Sequence, residues 1–315
     1  MVNNRVDKCL KVREMNCWRL SIMKAMIIMN PSSGKEKAND YVEKIEETLK
    51  SKYDDIDIRK TEKEGDAAAF ATEACIAFYD AVIAMGGDGT INEAINGLAE
   101  QEHRPALGII PLGTINDFAR ALEIPLDPYK AISILEDGKT IAVDVGKIDT
   151  AYFANVLAVG SIAEASYNVT PDQKTRFGSL AYFMEGAKSF LSGDSIELSV
   201  EHENGKWEGD SFLLLAALTN SVGGFEALAP NASVNDGKFH VFIVKKMSIP
   251  KIATIIPSLL KGELKESEEV EYIRTSFLNV SSSKDHVVNI DGEEGQRLPF
   301  HAKVLPGHLD VFVGM

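Results

Sequence analysis

Cysteine is scarce and odd in number: three in 315 residues, with Cys9 and Cys17 inside the first 23 and only Cys75 in the body of the chain. That leaves no disulfide framework and fits a reducing compartment. The six histidines are scattered, and no Cys/His spacing resembles a zinc site. No apolar run reaches the roughly 18 residues of a membrane-spanning helix. The first 23 residues carry Arg5, Lys8, Lys11, Arg13 and Arg19 without an apolar stretch, so they do not read as a secretory signal. Positive charge is in short supply as well. Lys and Arg number 33 against 47 Asp and Glu, a net charge of −14. A chain this acidic is a poor candidate for nucleic acid, which asks for a basic footprint. The charge also argues against broad adhesion to anionic lipid, and any membrane contact must be local and transient. No internal repeat or low-complexity tract is present.

What the chain does have is an ordinary globular composition, 45% hydrophobic and 25% charged, and a length that suggests two domains. Residues 1–23 show neither strand nor helix period and read as an upstream start or a disordered extension. From Met26 a strand-helix alternation begins. Met26 to Met29 is a buried strand; Tyr41, Val42, Ile45 and Leu49 keep helical spacing; Ile56 and Ile58 alternate with polar residues as in an edge strand. Asp66 to Phe78 is alanine-rich and helical, and Tyr129 to Leu135 is a further helix. Such alternation over more than a hundred residues predicts a parallel sheet covered on both faces. Beyond Ile141 to Lys147 strands dominate: Phe153 to Val159, Ile196 to Glu201, Phe212 to Thr219, Lys238 to Val244, Phe277 to Val280 and Val287 to Ile290. Two helices, Leu180 to Leu191 and Ile249 to Leu260, interrupt them. Asn204-Gly205 is a primed hairpin signal, so an antiparallel sandwich is expected there.

The chain is organised around residues 81–120. Two strand-like runs, Ala81 to Met85 and Leu107 to Ile110, each open into a glycine-bearing loop and then a helix. The loops are Gly86-Gly87-Asp88-Gly89-Thr90 and Pro111-Leu112-Gly113-Thr114. Unpaired N–H groups and the helix dipole make such a place an anion site. Glycines are also ordinary turn residues, and Thr90, Asn116 and Asp117 are ordinary helix-capping types. Each loop, however, carries an acid, Asp88 or Asp117. A carboxylate repels phosphate unless a metal ion lies between them, which points to Mg²⁺ and a nucleotide. The loops match neither GxxxxGK[ST] nor GxGxxG. Asn30 to Lys35 is a turn with a lysine, readable as a phosphate contact or as a solvated surface turn. Asp144 stands in the apolar run Val143-Asp144-Val145, where an unpartnered acid would cost several kcal/mol.

Strand-GGDGT-x-NE followed by PLGT-x-NDFAR resembles the soluble bacterial diacylglycerol kinases, relatives of sphingosine and ceramide kinases, from about Met26 to the C-terminus. The resemblance implies an N-terminal doubly wound α/β domain of the phosphofructokinase and NAD-kinase type over 24–142, joined by a returning last strand at 305–315. It implies a mainly antiparallel β-sandwich substrate domain over 143–304. The activity implied is an ATP- and Mg²⁺-dependent phosphorylation of a lipid hydroxyl in the interdomain cleft. Asn30, Gly34, Lys35, Gly86, Gly87, Gly89, Thr90, Gly113, Thr114, Asn116 and Lys174 are the implied nucleotide contacts. Asp88 is the implied contact of the catalytic Mg²⁺ and Asp117 its partner in a water network. Asp144 is the third acid of that network, and Asp236 a ligand of a structural Mg²⁺. Glu293, in Asn289-Ile290-Asp291-Gly292-Glu293, corresponds to the general base, with Glu294 its competitor. Asn39-Asp40 stands where some members place a second basic residue, so Lys37 or Arg120 is left to take that role. Phe177, Leu180, Phe183 and Met184 line an acyl channel or form core. A cytoplasmic enzyme touching the inner membrane face during turnover is expected, with a homodimer the commonest assembly. An NAD kinase shares the GGDG loop but not PLGT-x-ND. A non-enzymatic nucleotide- or lipid-binding regulator would gain nothing from a base at Glu293.

Overall fold

A computed structural model describes residues 22–33, 38–160, 195–224, 229, 232–248, 251, 255, 258 and 262–314. The first half alternates as its apolar periods require: β1 (Lys24–Met29), α1 (Ala38–Leu49), β2 (Asp55–Lys60), α2 (Asp66–Ile76), β3 (Ala81–Gly86), α3 (Asp88–Leu98), β4 (Ala106–Pro111), a short α4 (Asp117–Ala121) and α5 (Pro128–Asp137). The strands are parallel in the order β2-β1-β3-β4. β3 is buried at every residue, whereas edge strand β2 is only half-buried. That difference is what a sheet covered on both faces imposes. α1 packs on α5 and α2 on α3, a helix pair for each face under right-handed crossovers. The strand order reverses between β1 and β3. In open α/β sheets the crevice at the carboxyl ends there is the usual ligand site.

The second half is antiparallel: β5 (Thr140–Ile148), β6 (Ala151–Phe153), β7 (Val156–Val159), β8 (Ile196–His202), β9 (Gly205–Ala217), β10 (Phe239–Lys245), β11 (Val270–Thr275), β12 (Phe277–Ser281), β13 (Val287–Ile290), β14 (Glu293–Arg297) and β15 (Phe300–Phe312). Long β9 pairs with β8 along its first half and with β7 and β10 along its second. One core of this half holds Phe153, Leu214, Phe239, Leu278 and Val288, with Phe153 stacked on Phe239 at 5.8 Å. The fold class expected from the sequence, a doubly wound α/β half followed by an antiparallel sandwich, is the one observed.

β15 joins the halves. It pairs with β12 and β5 and, near its end, runs parallel to β4 through Val311 and Leu107. Its register with β5 shifts between Leu305 and Leu309, at Pro306-Gly307, and Gly307 has φ +53°. Proline in a sheet is confined to such irregularities. No described helix is long and apolar enough to cross a membrane.

Candidate active site

Three loops meet at the carboxyl ends of β1, β3 and β4. After β1, Asn30 folds an Asx turn, its Oδ1 accepting from Ser32 N at 3.0 Å and Ser32 Oγ at 2.7 Å. Its Nδ2 donates to Thr90 Oγ1 at 3.1 Å, tying the β1 turn to the GGDGT segment. The sequence places Asp88-Gly89-Thr90 in a loop, but they form the first turn of α3, with Gly87 as N-cap. The capping role considered for Thr90 therefore falls to Gly87. Thr90 is buried on Gly86, where an added Cβ would lie 2.5 Å from its side chain. Gly87 and Gly113 face each other across the two loops; a Cβ on Gly113 would lie 2.8 Å from Gly87 Cα. Gly89 is exposed at the open mouth.

Asn116 adopts φ +57° and is nearly buried. Its side chain closes the second loop on itself, with Gly113 N donating to Oδ1 and Nδ2 donating to Gly113 O, both at 2.9 Å. Asp88 then links the loops. Its two carboxylate oxygens accept from Asn116 N and Asp117 N at 2.8 Å each, capping α4 from outside. Burial pushes the Asp88 carboxyl up to about 6 against the pull of those N–H groups. The neighbouring charges acting on it, Asp117 and Asp291, are both negative and push the same way. A carboxylate so placed still has lone pairs unused by its two N–H donors. A divalent cation would relieve the repulsion, so the donor set fits Mg²⁺.

Asp117 reaches the second half of the chain, accepting from Ser221 Oγ at 2.7 Å, Gly223 N at 2.6 Å and Gly224 N at 2.8 Å. Asp291 makes the reciprocal crossing. It accepts from Ala154 N, Asn155 N and Val156 N, and from Asn92 Nδ2 on α3 at 2.8 Å. Burial is the main cause that raises its carboxyl above the ordinary value. Asp291-Gly292 is the two-residue turn between β13 and β14, with φ +49° and +93° as a primed hairpin turn requires. Glu293 therefore begins a strand rather than sitting in the turn. An ideal Cβ at Gly89 would lie 3.2 Å from Glu293 Oε1, so this exposed carboxylate lies over the first turn of α3. Strand alternation sends Glu294 to the opposite face.

Other expected residues stand elsewhere. Asp144 is buried, but its carboxylate accepts from Gly237 N at 2.6 Å and Gly307 N at 2.8 Å. It staples β5 to the irregularity in β15. Asp236 gives its oxygens to Lys238 N, His240 Nε2 and Arg274 Nη2 at 2.9–3.0 Å. Asp236, the expected structural Mg²⁺ ligand, thus has a protein donor at each oxygen, and no cluster of three His, Cys, Asp or Glu that could hold a metal is found among the described residues. Arg120 Nε donates to Ile115 O, beside the second loop. Thr114 is exposed at that loop. Gly34, Lys35, Lys37 and Lys174, with Phe177, Leu180, Phe183 and Met184, lie outside the described residues. Sequence reasoning passed over Asn92, Ser221, Gly223 and Gly224. The Gly-Gly pair following a strand was the available signal for the last two.

A switch-point crevice lined by glycine loops and clustered acids, with a carboxylate of the antiparallel half over its mouth, is an arrangement in which a phosphotransferase could hold a nucleotide. Residues 24–148 match the diacylglycerol kinase catalytic domain, and residues 155–313 match the YegS C-terminal NAD kinase beta sandwich-like domain. The chain belongs to the diacylglycerol kinase family of lipid kinases. It is 38% identical to a Staphylococcus epidermidis diacylglycerol kinase over 289 residues, covering 92% of each chain. It is 39% identical to one from Staphylococcus aureus over 293 residues, again covering 92% of each. Among solved structures it resembles a diacylglycerol kinase from Bacillus anthracis str. Sterne with a TM-score of 0.80 at 26% identity, covering 93% of this chain and 97% of that one.

Proposed function

We propose that this protein transfers the γ-phosphoryl group of ATP to a hydroxyl of diacylglycerol or a similar lipid alcohol, in the cleft between its two halves. The observation that carries this is the meeting of Glu293 with the first turn of α3, next to Asp88. Phosphoryl transfer needs the triphosphate held still, its charge neutralised and the acceptor aimed in line. The free N–H groups of α3 and the glycine loops would hold phosphate. Asp88 would hold Mg²⁺, which would neutralise phosphate charge. Glu293 would take the proton from the lipid hydroxyl as its oxygen bonds to phosphorus and the bond to ADP breaks. The lipid acceptor places turnover at a membrane surface, the inner face for a cytoplasmic enzyme. Incubation with [γ-³²P]ATP and either diacylglycerol or NAD tests the reading; label in the lipid is expected, and label in NAD alone would overturn it. Mass spectrometry of products from a total lipid extract identifies the acceptor.

Two further outcomes follow from the geometry. With Asp88 titrating near 6, about half the metal-free molecules hold its proton at pH 6, and binding a cation there expels it. Calorimetry of Mg·ATP binding at pH 6, in buffers of different ionisation enthalpy, should find a release of about half a proton that Asp88→Asn abolishes. No buffer dependence would remove Asp88 as the metal contact. Gly89→Ala separates stability from chemistry. Alanine is better than glycine in a helix by up to about 1 kcal/mol, yet its Cβ would press on Glu293 Oε1 at 3.2 Å. Denaturant stability should hold or rise while kcat falls about tenfold, as displacement of a catalytic group by a fraction of an ångström implies. An unchanged kcat would place Glu293 elsewhere during turnover.

A further inference from the structure

Glu293 begins β14, which among the described residues pairs only with β13 and so stands at the sheet margin. A hairpin tip at a sheet margin is free to splay unless something holds it. We propose that Asn92 and Asp291 form a positioning pair that sets the base, Glu293, over the nucleotide loop. The inference rests on the reading of Glu293 as base given above.

Two rulers lie side by side. On α3, Gly89 and Asn92 are three residues apart and share one helix face, about 4.5 Å along the axis. On the hairpin, Asp291 is the first residue of the turn and Glu293, two positions on, the first residue of β14. Asn92 Nδ2 donates to Asp291 Oδ2 at 2.8 Å, while Glu293 Oε1 lies against Gly89. The first contact fixes the register of the second. Asp291 is secured to its own half by the N–H groups of Ala154, Asn155 and Val156. Among the described residues, its bond from the first half of the chain is the one from Asn92. The Asn92 amide is oriented in turn, because Asn96 Nδ2 donates to its Oδ1 at 3.0 Å and to Tyr152 O at 2.8 Å.

A second path joins the same turn to the other glycine loop. Asn155, whose N–H donates to Asp291, accepts through Oδ1 from Thr219 Oγ1 at 3.1 Å. Thr219 Oγ1 also lies 3.1 Å from Ser221 O, its one proton shared between the two acceptors, and Ser221 Oγ donates to Asp117, whose N–H donates to Asp88. Asn155, Thr219 and Ser221 are all buried. With α3 running from Asp88 to Asn92, the ring closes. Groups enclosed this way are costly to leave unpaired, which keeps the ring in one arrangement. The base and the phosphate loops are then assembled as one unit although they come from different domains.

The test is a double-mutant cycle on the full-length protein, reading kcat, both KM values and denaturant stability. Asn92→Ala should lower kcat about tenfold or more with KM for ATP within about twofold of the parent. In a Glu293→Gln background the same change should cost less than about twofold, because its effect runs through the base. Asn92→Ser keeps a shorter donor; it should give an intermediate kcat and serves should the alanine variant fail to fold. Unchanged kcat in Asn92→Ala, or losses that multiply with those of Glu293→Gln, would overturn the positioning role. Full turnover in Glu293→Gln alone would instead overturn the assignment of the base.

Discussion

Glu293→Gln should lower kcat by about 10²- to 10⁴-fold, the range general bases contribute, with ATP affinity unchanged. Glutamine keeps the shape of glutamate but cannot accept the hydroxyl proton. Glu293 is exposed at the first residue of β14, and substitutions at exposed positions usually move stability by less than about 0.5 kcal/mol. The nucleotide loops lie on the other half of the chain and keep their own bonds. A selective loss of kcat, with ATP binding followed by calorimetry and folding by denaturant titration, is therefore the expected pattern. Glu294→Gln, on the opposite strand face, should leave kcat within about twofold. Equal losses in the two variants would mean that the carboxylates act only through the general field of the cleft.

Gly113→Ala should raise KM for ATP at least about tenfold and destabilise the fold by about 1–3 kcal/mol, the usual cost of overpacking. The added Cβ would lie 2.6 Å from Asn116 Oδ1 and 2.8 Å from Gly87 Cα. Neither can retreat freely. Asn116 is held by both the N–H and the carbonyl of Gly113, and Gly87 is fixed at the end of β3 by the Leu112 N to Gly86 O bond at 2.8 Å. The two loops must part, which moves Asp88 from the start of α4. The contrast with Gly89→Ala is diagnostic. One glycine is required by backbone crowding and costs stability when replaced; the other is required by the neighbouring carboxylate and costs turnover alone. A Gly113→Ala protein with parental ATP affinity would show that the loop pair does not hold the nucleotide.

Much of this was legible in the chain because the signals were local. GGDGT and PLGT each follow an apolar strand and stand at its carboxyl end, although Asp88-Gly89-Thr90 belong to the first turn of α3 rather than to the loop. The antiparallel half was legible wherever apolar residues alternate. Edge strand β14, Glu-Glu-Gly-Gln-Arg, was not, because nothing along it is apolar and its pairing with β13 alone makes it a strand. Buried acids were the other limit. Val143-Asp144-Val145 announces a partner for Asp144 without saying which, and the partners are Gly237 and Gly307, 93 and 163 residues away. Asp291 reads as half of an Asp-Gly turn, and only the tertiary fold brings Asn92, 199 residues distant, to its carboxylate. Local chemistry marks a turn, and the crossing partner depends on how the halves pack. For the same reason nothing local in Asn235-Asp236-Gly237 announces His240 and Arg274 at the Asp236 oxygens.

The central claim is that Asp88 holds the magnesium of ATP beneath Glu293. A crystal structure with Mg²⁺ and a non-hydrolysable ATP analogue tests it most directly. The account predicts the metal about 2.0–2.1 Å from an Asp88 carboxylate oxygen, phosphates on the first turn of α3, and Glu293 facing the γ-phosphate side. Nucleotide seated away from the β3 and β4 loops, or Glu293 turned from the phosphate, would contradict it.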